Sequence, residues 1–249
     1  MSNFSRYFEN IPPVTKNLLI INLLVYVVMA IAPGGREAVI ERYCALHSFQ
    51  SPLFNMVQVF TYMFLHASFS HLFFNMFALF MFGPWIEYSL GSKRFIFYYI
   101  SCGIGAALVQ EGVFAIMIGK YTSMFSPEQF RQIVEEGADA LRHGMNFSDP
   151  TLARINEIVN VETVGASGAI YGVLLAYGML FPETRIYLLI PPIPVKAKWL
   201  VIGYGALELL LGLSGRADNV AHFCHLGGMV FGLLIILYWK HKGTFNGRF

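Results

Sequence analysis

Charge is what this sequence has least of. Among its 249 residues only 13% are Asp, Glu, Lys or Arg, while 56% are hydrophobic and 16% aromatic; soluble domains carry roughly 25% charged residues. Too few ionisable side chains are present to give a globule of this size a solvated surface. That excludes a soluble single-domain enzyme and a disordered tail protein. A formal net charge of +2 is no electrostatic footprint for nucleic acid, so no nucleic-acid partner is expected. Cysteine is scarce as well. Cys44, Cys102 and Cys224 are odd in number and widely spaced, which gives neither a disulfide framework nor a zinc-ligand spacing. The N-terminal stretch shows no short apolar region followed by a small-residue cleavage site, so the first apolar run is expected to be retained as a span. These absences leave a multi-pass protein of the lipid bilayer.

A bilayer core about 30 Å thick requires about 20 helical residues to cross it. Six apolar runs qualify, at 17–33, 69–89, 94–118, 165–181, 197–213 and 221–240. The expected fold class is therefore an all-α membrane protein, a six-transmembrane-helix bundle. The stretch 180–198 is also apolar, but Pro182, Pro191, Pro192 and Pro194 break it into a loop or interfacial segment. Residues 34–62 mix Arg36, Glu37, Glu41 and Arg42 with aromatics, as an amphipathic loop at the interface does. Residues 120–162 carry four basic and seven acidic side chains with helical periodicity around 130–141, which reads as a solvated helical hairpin. The organisation expected is a short cytoplasmic segment 1–16, a six-span domain 17–240 containing the 120–162 insert, and a cytoplasmic tail 241–249. An even number of spans puts both termini on one side. Placing them in the cytoplasm of a cell-membrane protein puts ten basic residues inside against seven outside, four of those seven in the insert. The insert is then extracytoplasmic.

Polar residues inside spans are costly and face a cavity or a partner. His66 and His71 stand at the head of the second span, with Asn75 one helical turn beyond His71, so that His71 and Asn75 share a face. Gly165, Ser167 and Gly168 open the fourth span, with Tyr171 a turn further on. His222, His225 and Gly228 open the sixth, and Gly232 continues the small-residue row. With the termini inside, all three polar ends fall near the outer face, so one serine, several histidines and an asparagine converge on one recess. The fourth span is short, which lets the loop before it dip below the membrane surface and sets Ser167 at a wet helix N-terminus. A serine nucleophile attacking an amide needs that environment.

Each cluster also has a plainer reading. Gly168, Gly172 and Ala176, like Gly228 and Gly232, form small-residue rows that pack helices closely; close packing of spans four and six would equally bring a serine and a histidine together. His71 with Asn75 fits interhelical hydrogen bonding. Glu87 fits a brace for the loop that follows it, and Glu111 and Glu208 receive no role. A metal or redox protein using His66, His71, His222 and His225 is the rival of a different class, and no cofactor motif accompanies it.

The motifs His71-x-x-x-Asn75, Gly83-x-x-x-Glu87-x-x-x-Gly91, Gly165-x-Ser167-Gly168 with Tyr171, and His225-x-x-Gly228-x-x-x-Gly232 occur together and in order. In these the chain resembles the rhomboid family of intramembrane serine proteases, over roughly residues 15–240 without the insert. The resemblance implies an endopeptidase with a Ser167–His225 dyad and no acidic third member, acting on transmembrane protein substrates without metal or other cofactor. It implies that His71, Asn75 and the Ser167 backbone N–H form the oxyanion hole, that Tyr171 packs on the imidazole, and that Gly165 and Gly168 shape the serine turn. His225 is preferred to His222 as the base because Gly228 and Gly232 follow at three and seven positions; His222 is left as a supporting residue. A non-catalytic helix-binding relative would be expected to lack the Ser or the His. Two features depart from the family: residues 34–62 contain no Trp-Arg pair, leaving Phe49 and Phe54 to stabilise that loop, and the insert is long.

Overall fold

A computed structural model describes residues 10–32, 40–187, 193–214 and 219–244. Residues up to 9, the part of the first loop with Arg36 and Glu37, Pro191 and Pro192, and the tail beyond 244 lie outside the described residues. The major helices are α1 (Pro13–Ile31), α4 (Phe69–Leu90), α5 (Ser92–Tyr121), α8 (Ser167–Leu180), α9 (Ala197–Leu213) and α10 (Asn219–His241). Two short helices, α2 (Ile40–Cys44) and α3 (Gln58–Thr61), lie in the first loop, and α6 (Pro127–Arg142) and α7 (Pro150–Asn160) form the insert.

Among the described residues four helical segments are long and apolar enough to cross a membrane: Pro13–Ile31, Phe69–Leu90, Ser92–Met124 and His222–His241. The two other expected spans are shorter, α9 with 17 residues and α8 with 14. Helix α8 starts at Ser167 rather than 165 because Gly165 has φ +130°, a value outside the helical range. Helix α5 runs past the expected end at 118 to Tyr121.

The expectation of helices alone is corrected by two antiparallel strand pairs. Strand β1 (Leu46–His47) pairs with β2 (Glu162–Thr163) and ties the first loop to the segment before Ser167. Strand β3 (Arg185–Tyr187) pairs with β4 (Pro194–Lys196) in the proline-broken stretch, where an extended backbone accommodates proline at the strand's first residue. Glu183 clasps that hairpin, 2.6 Å from Lys196 and 2.5 Å from Lys198, and hydrogen bonds from the two ammonium groups lower its pKa to about 2.

Glu87 braces the loop that follows it and does more. Its carboxylate accepts from Ser92 Oγ at 2.7 Å, from the Val14 and Thr15 backbone N–H at 3.0 and 2.7 Å, and from Thr15 Oγ1 at 2.8 Å. A negative charge thus sits on the free N–H groups at the start of α1, where the helix dipole favours it. Glu111 of α5 accepts from the Phe49 N–H of the first loop at 2.8 Å, and the Phe49 and Phe54 rings lie 4.6 Å apart. Gln58 donates to the Leu53 carbonyl at 2.8 Å. These contacts hold the loop in which no Trp-Arg pair occurs.

The main core joins α4, α5, α8 and α10 through Leu79, Ile86, Tyr98, Tyr99, Cys102, Ala106, Ala169, Val173, Ala176 and Cys224. A separate cluster centred on Ile133, Ile155 and Val159 fills the insert and reaches Phe114 and Ile118 of α5.

Candidate active site

Small residues decide how closely α8 approaches α10. A Cβ at Gly228 would fall on the Gly168 carbonyl, and one at Gly172 would lie 3.1 Å from the Gly228 oxygen and closer still to Cys102. The two rows therefore meet backbone to backbone, with the Tyr98 hydroxyl donating to the Gly172 carbonyl at 2.6 Å from the α5 side. That approach sets the first turn of α8 against the first turns of α10. Ser167 Oγ lies 2.8 Å from His225 Nε2.

The imidazole is held on one face and at Nε2. The Tyr171 ring, one turn after Ser167, stacks on His225 with centroids 4.2 Å apart and planes 4° from parallel. His225 Nδ1 lies 3.1 Å from Glu208 Oε1, and the other carboxylate oxygen is 2.5 Å from His222 Nδ1. The Tyr171 hydroxyl donates to Glu208 Oε1 as well. Glu208 itself is buried, while His222 and His225 keep 16% of their side-chain surface exposed.

The approach to Ser167 is shaped by Gly165. Its φ of +130° is strained for any residue with a Cβ, and a Cβ there would lie 2.7 Å from His71 Cε1 and Nε2 and 3.6 Å from Ser167 Oγ. Glycine thus lets the His71 ring come down beside the serine turn. The Gly165 N–H donates to the Tyr62 carbonyl at 3.0 Å and fixes that turn to the first loop. Gly168 is crowded in turn: a Cβ there would meet Ala106, the Cys224 sulfur and the Tyr62 hydroxyl. Asn75, a turn below His71, is buried and its Nδ2 has no hydrogen-bond partner. A buried amide donor without an acceptor is rare.

The rhomboid domain family matches residues 54–134 and 138–242, about three quarters of the chain. The chain belongs to the rhomboid family. It is 27% identical over 237 residues to "Rhomboid protein 1, mitochondrial" of Saccharomyces cerevisiae, covering 91% of this chain and 56% of that protein. It is 29% identical over 178 residues to "Rhomboid protease AarA" of Providencia stuartii, covering 70% of this chain and 52% of that protein. The chain thus spans about half the length of these relatives. With its apolar helices, this rhomboid is an integral membrane protein.

Of the residues singled out from the sequence of this rhomboid, Ser167, His225, Tyr171, Gly165, Gly168 and His71 gather at one place. His222 meets Glu208 and not the serine. The four histidines of the metal reading do not form one group. His66 and His71 pair with ring centroids 5.1 Å apart, whereas the only possible trio of metal ligands among the described residues is Glu208, His222 and His225. Of these, Glu208 Oε2 and His222 Nδ1 are hydrogen-bonded at 2.5 Å. Burial is the first cause, and His71 the second, that lowers the His66 pKa to about 4, so that this ring is neutral at physiological pH.

Glu208 is the residue whose place the sequence did not reveal. The resemblance implies no acidic third member, yet a carboxylate lies beside His225. Its signal was an acid within an apolar run, which demands a buried partner. Which partner it meets depends on how α9 is rotated against α10, and an all-round apolar helix carries no such information.

Proposed function

We propose that this protein is an intramembrane serine endopeptidase that cleaves peptide bonds in or near transmembrane segments of other membrane proteins. The observation that carries the reading is the 2.8 Å contact between Ser167 Oγ and His225 Nε2, a nucleophile and a base within hydrogen-bond reach. The imidazole takes the Ser167 proton while Oγ bonds to the scissile carbonyl carbon, and the carbonyl π electrons move onto oxygen. His225 then returns the proton to the departing amine as the C–N bond breaks. Water, deprotonated by the same nitrogen, releases the acyl group and restores the serine.

The oxyanion is stabilised by His71, by the Asn75 amide and by the Ser167 backbone N–H. Support comes from His71 beside the Gly165 turn and from the unpartnered Asn75 Nδ2. The Ser167 N–H lies at the start of α8, where backbone donors have no intrahelical acceptor. One such donor contributes about 2.7–4 kcal/mol to the transition state. Tyr171 orients the base, and no cofactor enters the scheme.

All six apolar helices cross the bilayer in this reading, with α8 spanning its thickness only together with the loop before it. The termini are cytoplasmic, the membrane is the cell membrane, and the site opens toward the outer face. Because a helical peptide bond is sterically shielded, substrates with Gly or other helix-breaking residues near the cut are cleaved faster than stable helices.

Labelling with a fluorophosphonate tests the reading. Wild-type protein in proteoliposomes is expected to label and to cleave a fluorogenic transmembrane peptide; Ser167→Ala abolishes both. Cleavage that survives Ser167→Ala refutes the proposal. His225→Ala silences cleavage, and activity retained there but lost in His222→Ala moves the base to His222.

A further inference from the structure

We infer that Glu208, His222 and His225 form an inhibitory site for a divalent cation of the zinc class. The inhibition, though not the binding, rests on the endopeptidase reading. The juxtaposition is one carboxylate between two imidazoles. Glu208 Oε2 lies 2.5 Å from His222 Nδ1, and Oε1 lies 3.1 Å from His225 Nδ1.

Local sequence sets up each arm. His222 and His225 stand three positions apart, so both rings leave one face of α10. Opposite them, Glu208 has Gly205 three positions before it and Gly212 four after, on the same face of α9. A Cβ at Gly205 would lie 3.2 Å from Met229, and one at Gly212 would lie 3.1 Å from Phe223 and 3.5 Å from His222. The two glycines let α9 approach α10 and carry the carboxylate to the histidines.

The donor set suits zinc. One donor atom from each of the three side chains lies within 4.8 Å of the other two. Two imidazoles and a carboxylate, with a fourth position left to water, form a ligand set that Zn²⁺ takes; Mg²⁺ and Ca²⁺ favour oxygen alone. Donor atoms of a tetrahedral zinc site stand about 3.3 Å apart, so the carboxylate withdraws from His222 by less than about 1 Å. The Tyr171 hydroxyl already donates to Glu208 Oε1, the kind of outer contact that orients a metal ligand. His225 supplies an independent observation. Its Nδ1 is buried and has no hydrogen-bond partner, a rare condition, so coordination there breaks no hydrogen bond.

Occupancy switches the base off by tautomer. A neutral imidazole carries one proton, and a cation on Nδ1 leaves that proton on Nε2. Nε2 then donates to Ser167 Oγ across the 2.8 Å contact instead of accepting from it. The serine keeps its place and loses its base. Each ring keeps one proton, Glu208 binds as the carboxylate, and the cation exchanges water for two nitrogens and an oxygen.

The test uses the full chain in proteoliposomes, stripped with a chelator and then titrated with Zn²⁺ at fixed pH. Cleavage of the fluorogenic transmembrane peptide is expected to fall with Zn²⁺ and to return when chelator is added. The same concentration of Mg²⁺ leaves it unchanged. In His222→Ala and in Glu208→Gln the half-inhibiting Zn²⁺ concentration rises at least about tenfold, each variant being read against its own metal-free rate. Binding is read without activity on Ser167→Ala, titrated with Co²⁺ as a spectroscopic stand-in. One Co²⁺ is expected per chain, with the visible absorption of a tetrahedral site, displaced by Zn²⁺ and lost when His222→Ala is added. Equal inhibition by Mg²⁺, or half-inhibition unmoved in both variants, overturns the assignment. So does Ser167→Ala that binds no Co²⁺, an outcome that stands even if neither Glu208→Gln nor His222→Ala folds. If Ser167→Ala still cleaves, the endopeptidase reading fails and the Co²⁺ titration decides the cation site by itself. If Ser167→Ala is inert and binds no Co²⁺, only this inference fails.

Discussion

The α6–α7 insert and the α8–α10 pair are both helices packed against each other, and they are held by opposite means. The insert is a capped, amphipathic hairpin. Ser126 and Gln129 form a reciprocal capping box at the start of α6, and Asp149 accepts from the Thr151 and Leu152 N–H groups at the start of α7. Proline follows each cap at the first helical position. Exposed pairs Glu128–Arg131 and Asp139–Arg142 line α6, and the inner face buries Ile133 against Ile155 and Val159. In α8 no side chain caps the start. There the contact is between glycines of the facing helices, with the Tyr98 hydroxyl on a backbone carbonyl.

The contrast follows from the solvent. In water a short helix is marginal, so caps and an amphipathic stripe supply its stability. Lipid is as apolar as leucine, so burying leucine between spans gains little. Close van der Waals approach and a few satisfied polar groups do the holding instead. The candidate site lies in the second kind of packing, and its geometry therefore depends on absent side chains as much as on present ones.

The largest effect expected on this comparison comes from Gly228→Val. Its side chain would meet the Gly168 backbone, which cannot rotate away. A loss of more than about 4 kcal/mol is expected, read as a collapsed thermal midpoint in detergent together with loss of fluorophosphonate labelling. A variant that labels normally would show that the glycine contact is not what sets the serine against the histidine.

Ile133→Ala strikes the insert at a fully buried position. About 3–4 kcal/mol is expected to be lost there, seen as faster proteolysis and hydrogen exchange within 127–160. Ser167 labelling is expected to persist, because the insert has its own core. Equal loosening of α8 would mean that the two regions fold as one.

Acid sharpens the contrast from the site side, where a titratable ring is buried. The folded-state pKa of His66 is lowered from 6.5 to about 4, so its contribution is present in full above 6.5 and is lost as pH falls through about 4. That corresponds to about 3 kcal/mol. The thermal midpoint of wild type should drop between pH 7 and 4, and His66→Phe should flatten the drop. A variant with the wild-type drop would assign the acid lability to another group.

Ser126→Ala is the mildest, removing one half of the capping box for about 1 kcal/mol. Exchange should rise in the first turn of α6 alone. No change in that turn would mean that the cap adds nothing to a helix already held by its apolar face.

Much of the fold was legible because it rests on local pattern. Apolar runs marked all the major helices to within a few residues. The charge of 120–162 and the helical periodicity around 130–141 marked the insert. Two of the boundary differences have a visible reason: Gly165 leaves the helical region at the start of α8, and no proline interrupts α5 before Tyr121. The strand pairs β1–β2 and β3–β4 escaped because two or three residues carry no usable alternation.

The sequence by itself determined that the chain lives in lipid, that its polar residues are concentrated at the heads of three apolar runs, and that Ser167, His225, His71 and Asn75 are the residues to examine. Only the tertiary structure decided where Glu208 lies. An acid within an apolar helix must find a partner, but local sequence does not fix the rotation of α9 about its axis. That rotation is set by packing against α8 and α10, and it brings the carboxylate to His225 Nδ1, His222 and Tyr171 together.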